Sequence, residues 1–109
     1  SGTVPVTREL TPKEIKADYE GNTGRVIVER LAGTDPMNMP AVLVAHHAPF
    51  TWGQDAMDSV HISICLETAA QIALCTLQIK PDTPPIPREL FEKHFFRKHG
   101  PNATYGQKS

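Results

Sequence analysis

One hundred and nine residues with a mass of 12.0 kDa make at most one modest domain, and a chain of that size buries only about two thirds of the surface its unfolded form exposes. With 39% hydrophobic and 21% charged residues the composition is that of a soluble protein, and no apolar run approaches the ~18 residues of a membrane span. A net charge of -1 excludes a strong whole-chain pull toward nucleic acid.

The chain opens Ser1-Gly2-Thr3, with no starting Met and no signal-peptide pattern, so it is expected to be an engineered segment, a processed chain or a fragment. Residues 3–7 read as extended, with Pro5 confining them to an edge or a strand end. Thr11-Pro12-Lys13-Glu14 is a helix start. Thr11 caps, Pro12 suits the first helical position, and Glu14 closes a capping box. That helix is expected to run to about Tyr19 and stop near Gly21-Asn22. Arg25 to Leu31 is ambiguous by composition: its β-branched run favours a strand, while its length and polar flanks leave a helix open. Gly33-Thr34-Asp35-Pro36 ends it, and the chain then enters a strand from Ala41 to His47.

The longest helix is expected after Gly53, capped by Gln54 or Asp55 and ended by Lys80-Pro81. Met57, Val60, Ile64, Leu66, Ile72, Leu74 and Leu77 recur at spacings that would keep a broad apolar stripe inward. Residues 81–87 hold four prolines and form a stiff, extended connector. A last helix should run from about Arg88 to Lys98, with Gly100 placed for a carboxy-terminal cap. One strand and three or four helices do not close an architecture. A lone strand must join a sheet supplied by further sequence or another subunit, so the chain is expected to be half of a domain.

Cys65 and Cys75 lie ten residues apart in the long helix. Their Cα atoms would be ~15 Å apart there, beyond the ~7 Å limit of a disulfide. Two unpaired thiols suit a reducing compartment, and the cytoplasm is the expected location.

The chemistry-bearing residues are few. His46 and His47 end the strand, where alternation would send them to opposite faces and prevent them from chelating one ion. Strand ends opening into loops collect ligand sites, yet a surface or hydrogen-bonded histidine is the plainer account from spacing alone. Zinc requires three or four ligands, and there is no His-x-His, Cys-x-x-Cys or His-Glu-x-x-His, so any metal must draw further ligands from outside the 109 residues. From Arg88 to Ser109 five bases face two acids, a balance of +3 against -4 for residues 1–87. A basic end with His94 and His99 would suit a phosphorylated small molecule, and a solvated helix face with cations near its carboxy end explains it equally. His94 and Lys98 share a face, with Arg97 beside them. Tyr105, in a polar tail, is either a proton donor or a cover for a neighbouring surface. His61 and Glu67 are expected to serve helix packing.

Several strings carry more. Ala41-Val-Leu-Val-Ala-His-His-Ala-Pro-Phe-Thr-Trp-Gly53, Asp58-Ser-Val-His61, Leu66-Glu67, Lys93-His-Phe-Phe-Arg-Lys-His-Gly100 and Ala103-Thr-Tyr-Gly-Gln107 together closely resemble the L-ribulose-5-phosphate 4-epimerases of the class II aldolase and adducin-like superfamily. Thr3-Val-Pro-Val-Thr-Arg8 and Asn22-Thr-Gly-Arg-Val-Ile-Val-Glu29 fit as well. The resemblance runs from Gly2 to Gln107 and corresponds to the family's carboxy-terminal half.

The resemblance implies an α/β class, a three-layer α/β/α fold around a largely antiparallel sheet, of which this chain is the mostly helical carboxy-terminal portion. It implies a cyclic homotetramer with sites between subunits, and it places Arg25 to Leu31 in a helix. It implies a divalent ion, commonly Zn2+, held by three histidines. Two come from a His-x-His in the amino-terminal half and the third falls on His47. A tyrosine acid/base reaching across the subunit boundary falls on Tyr105, and His94 and Arg97 match basic, substrate-proximal positions. An aspartate acid/base and the phosphate-binding loop belong to the amino-terminal half. The substrate implied is a phosphorylated ketopentose, interconverted between L-ribulose 5-phosphate and D-xylulose 5-phosphate by retro-aldol cleavage, rotation of the aldehyde and re-formation of the bond. A proton donor is then needed on each face of the aldehyde. The rival reactions are aldol cleavage of a sugar 1-phosphate such as L-fuculose 1-phosphate, or no catalysis in a scaffold module. The isolated 109 residues are expected to be inactive. The family usually has glycine after the metal-binding histidine, where this chain has Ala48; a positive φ there would strain alanine by about 1–2 kcal/mol.

Overall fold

Thr11 caps the first helix as its sequence requires, in extended conformation, with its hydroxyl accepting from the Glu14 N–H (3.2 Å) while the Glu14 carboxylate accepts from the Thr11 N–H (3.0 Å). The computed structural model of the chain describes residues 3–99 and 101. Helix α1 spans Pro12–Leu31 and takes in the ambiguous Arg25–Leu31 segment, in agreement with the family resemblance and against local β propensity.

The expected stop near Gly21 is instead a kink at Asp18, with extended φ (-163°), after which the helix resumes. Asp18 acts as a second cap, its carboxylate accepting from the Gly21 N–H (3.1 Å). A side chain at Gly21 would run into that carboxylate, so this glycine makes room for the cap and does not end the helix. Asn22 reaches back across the kink to the Glu14 carbonyl (2.9 Å), and the Thr23 hydroxyl donates to the Tyr19 carbonyl (2.8 Å). Both side chains are buried and satisfied. Helix α1 ends at Ala32 and a left-handed Gly33 (φ 77°).

The described residues divide into two compact units, residues 3–75 and those from 76 onward. In the first, β1 (Ala41–Leu43) pairs antiparallel with β2 (Pro49–Thr51), Val42 opposite Phe50. Along the other edge of β1 runs the extended amino-terminal segment. Val6 forms a parallel bridge to Leu43, the Leu43 N–H donates to the Pro5 carbonyl and the Thr7 N–H to the Leu43 carbonyl, both at 2.9 Å. The strand is therefore not alone, as composition suggested; it has partners on both edges. It is also shorter than expected, ending at Leu43. Val26, Ala41, Val42 and Val44, with Pro5 of the amino-terminal segment, are the buried apolar side chains among the described residues.

Helix α2 spans Ala56–Ile79. Asp55 caps it, accepting from the Asp58 N–H (2.8 Å), and Asp58 in turn accepts from the Gln54 N–H (3.0 Å). A Cβ on Gly53 would come within 2.8 Å of the Asp58 Cβ, so the close approach of this turn to the helix needs glycine. The inward apolar stripe is corrected: no residue of α2 is buried, with Met57 77%, Ile64 61% and Ile72 62% exposed. Periodicity marks the face that prefers burial, but the element that would cover it is not among the described residues. The expectation that nothing matches a membrane span is corrected as well, since α2 is long and apolar enough by length and composition to cross one. Ser59, His61, Ser63, Glu67 and Gln71 interrupt every continuous apolar run yet leave the average apolar. Cys65 and Cys75 are unpaired and exposed. His61 and Glu67 are exposed too, His61 lying 3.6 Å from the Cys65 sulfur, so neither fills the packing role expected of it.

In the second unit α2 gives way at Lys80, whose carbonyl accepts from the Thr83 hydroxyl (2.7 Å), to the proline connector and then to α3 (Arg88–His99). Arg88 pairs with Glu92 one turn on, at 2.8 Å. The expected cap Gly100 and the tail 102–109, with Tyr105, lie outside the described residues.

Arg8 ties the amino-terminal segment to both ends of α1. Its guanidinium grips the two Glu14 oxygens at 3.0 and 3.1 Å and reaches Glu29 at 3.1 Å. That fork, with the Thr11 N–H, lowers the Glu14 pKa from 4.5 to about 2. A carboxyl depressed in the fold contributes stability above its unfolded pKa and loses it as pH falls. The contribution of Glu14 should thus be complete above pH 4.5 and vanish toward pH 2. Solvent screening keeps it small. Paired unfolding curves of the unmodified protein and Glu14→Gln should differ at neutral pH and converge across that interval; a constant gap would exclude the pair as the source.

Candidate functional site

The turn from Val44 to Ala48 carries the two adjacent histidines. Their placement follows from the backbone hydrogen bonds that close it: the Val44 N–H donates to the Ala48 carbonyl (3.1 Å) and the His47 N–H to the Val44 carbonyl (3.0 Å). His46 takes the left-handed conformation (φ 59°), the one positive φ among described non-glycine residues. The strain anticipated at Ala48 is therefore absent from that position and sits two residues earlier, on histidine. Because β1 ends before the turn, strand alternation does not describe how the two rings are disposed.

The rings differ in what they touch. His46 Nε2 lies 2.8 Å from a Glu9 carboxylate oxygen. An ionised carboxylate only accepts, so this nitrogen bears a proton. His47 is exposed, and its ring lies near those of Tyr19 (centroids 6.2 Å apart) and Phe50 (5.5 Å), both tilted. No described residue hydrogen-bonds either ring nitrogen of His47. Both His47 nitrogens are open to a ligand from outside the described residues, whereas Glu9 takes Nε2 of His46 and leaves its Nδ1, an arrangement that metal-ligating histidines also use.

His47 fits as one corner of a metal site and not as a site by itself. Among the described residues no three His, Cys, Asp or Glu side chains converge to hold an ion. His94 and Arg97 lie exposed on α3, in the second unit, and Tyr105 is outside the described residues. Sequence spacing points to neither Glu9 nor Tyr19, because each meets the turn only through the fold, whereas Phe50 follows His47 by three residues. Glu9 is 37 positions from His46.

A family model described as the class II aldolase and adducin N-terminal domain matches residues 1–74, and the chain belongs to that family. It is 47% identical over 107 residues to the L-ribulose-5-phosphate 4-epimerase UlaF of Salmonella paratyphi A, and equally so to proteins of that name from Salmonella typhi and Salmonella paratyphi B. Each alignment covers 98% of this chain and 47% of the relative, so the chain spans about half the length of the curated relatives it matches. The resemblance drawn from the motifs is thereby established at the level of the whole chain.

Proposed function

We propose that this chain is the carboxy-terminal portion of a metal-dependent L-ribulose-5-phosphate 4-epimerase. The observation that carries the reading is identity of 47% across 98% of the chain to proteins of that name, joined to a turn histidine whose ring nitrogens are unengaged. His47 is one ligand of a divalent ion, most simply Zn2+, and the remaining ligands are supplied from outside these residues. A bound ion supplies Lewis-acid polarisation of the ketose carbonyl. Tyr105 holds and returns a proton at one face of the aldehyde that forms on C3–C4 cleavage. His94 and Arg97 favour the phosphate end of the substrate through charge.

The apolar side of α2 is the surface on which the rest of a three-layer α/β/α domain packs. Helix α2 carries Asp58, His61 and Glu67 along its length, which fits a core helix of a cytoplasmic enzyme better than a lipid-facing one. The family's homotetramer, with sites between subunits, gives Tyr105 a neighbour to act upon. The 109 residues alone are inactive on this reading, because they hold one metal ligand of three.

A coupled assay offering L-ribulose 5-phosphate and L-fuculose 1-phosphate in parallel to the full-length protein tests the assignment. Formation of xylulose 5-phosphate with no cleavage of the hexulose phosphate is expected. Cleavage of the hexulose phosphate without epimerisation would transfer the chain to the aldolases of the same superfamily.

A further inference from the structure

We propose that Glu9 is a positioning residue for His47, acting through His46 to hold the turn that presents the ligand. The proposal rests on the reading of His47 as a metal ligand and adds a residue to it. Backbone in the left-handed region is unfavourable for any residue with a Cβ and persists where the surroundings over-determine it. Here they do. The segment before α1 is laced to β1 by the Pro5–Leu43 and Thr7–Leu43 backbone bonds, and it reaches the turn at two further points. The Thr7 hydroxyl, buried, accepts from the Ala45 N–H at 3.1 Å, immediately before the left-handed residue. The Glu9 carboxylate then holds the His46 ring itself at 2.8 Å.

Two consequences follow for the site. The backbone bonds set the left-handed conformation, and the Glu9 contact ties the His46 ring to the amino-terminal segment, which steadies the turn from which His47 leaves toward Tyr19 and Phe50. That contact also engages His46 Nε2, so that of two adjacent imidazoles only one offers both nitrogens. Both partners are largely exposed, with side-chain exposures of 77% and 73%, so the contact contributes little to overall stability. Its effect is on the placement of the ligand, where small displacements matter.

The test is zinc affinity of the full-length protein, measured by chelator competition beside the unfolding midpoint. Glu9→Ala should weaken zinc binding roughly five- to tenfold with the midpoint unchanged. Glu9→Gln, whose amide oxygen still accepts from the ring, should restore affinity to within about twofold. His46→Gly adopts the left-handed conformation unaided, so adding Glu9→Ala to it should change nothing further. Unaltered zinc affinity in Glu9→Ala, in a protein whose His47→Ala variant has lost zinc, overturns the positioning role. Zinc retained by His47→Ala overturns instead the ligand assignment beneath it.

Discussion

Replacing His47 by alanine in the full-length protein should abolish metal binding and turnover together, if the proposed assignment of His47 holds. A site of three protein ligands does not hold its ion with two, and the ion's chemistry leaves with it. The structure says why this loss should be clean. The His47 side chain is exposed, makes no hydrogen bond to a described residue, and lies against Tyr19 and Phe50 by ring contact only. Its backbone φ is ordinary, the left-handed position being His46. Alanine therefore deletes a ligand without opening a cavity or stranding a buried polar group. Metal content by elemental analysis should fall well below one ion per chain while the unfolding midpoint of the metal-free protein stays near that of the unmodified apoprotein. Stoichiometric metal in the variant would show that the third ligand is elsewhere.

Tyr105→Phe should lower kcat by roughly 10²–10⁴, the contribution of one positioned acid/base group. Phenylalanine keeps the ring and deletes only the hydroxyl, so metal content and KM should remain close to those of the unmodified enzyme. That division separates a proton donor from a residue that merely covers a neighbouring surface, since loss of cover would act on binding or assembly. The two substitutions are also distinguishable from each other. On the proposed roles, His47→Ala should yield metal-free protein, and Tyr105→Phe should yield metal-loaded protein with impaired proton transfer at one face. An unchanged kcat would remove Tyr105 from the mechanism.

How far the fold was legible depends on the range of the interaction concerned. The capping box at Thr11 and Glu14, the cap at Asp55, the start of α3 at Arg88 and the proline connector all reside in a few consecutive residues, and all are found where composition places them. Arg25 to Leu31 lies beyond local rules: β-branched side chains make it read as a strand, and only comparison of whole motifs with a family places it in a helix. Gly21 shows the opposite error. A glycine after a helical run resembles a stop, whereas here it leaves space for the Asp18 carboxylate that caps the second segment of the same helix.

The site divides in the same way. Sequence by itself determined the family and the residue types available for chemistry, because these are carried by strings of adjacent residues. The tertiary structure decided which of two neighbouring imidazoles a carboxylate engages, since Glu9 reaches the turn from a distant segment. It decided that His46, not Ala48, bears the left-handed backbone, because the hydrogen bonds of Val44 close the turn two residues earlier than a continuous strand would allow. And it decided that the apolar side of α2 remains uncovered by the described residues: periodicity along a helix states a preference for burial, while burial itself depends on atoms brought from elsewhere in space.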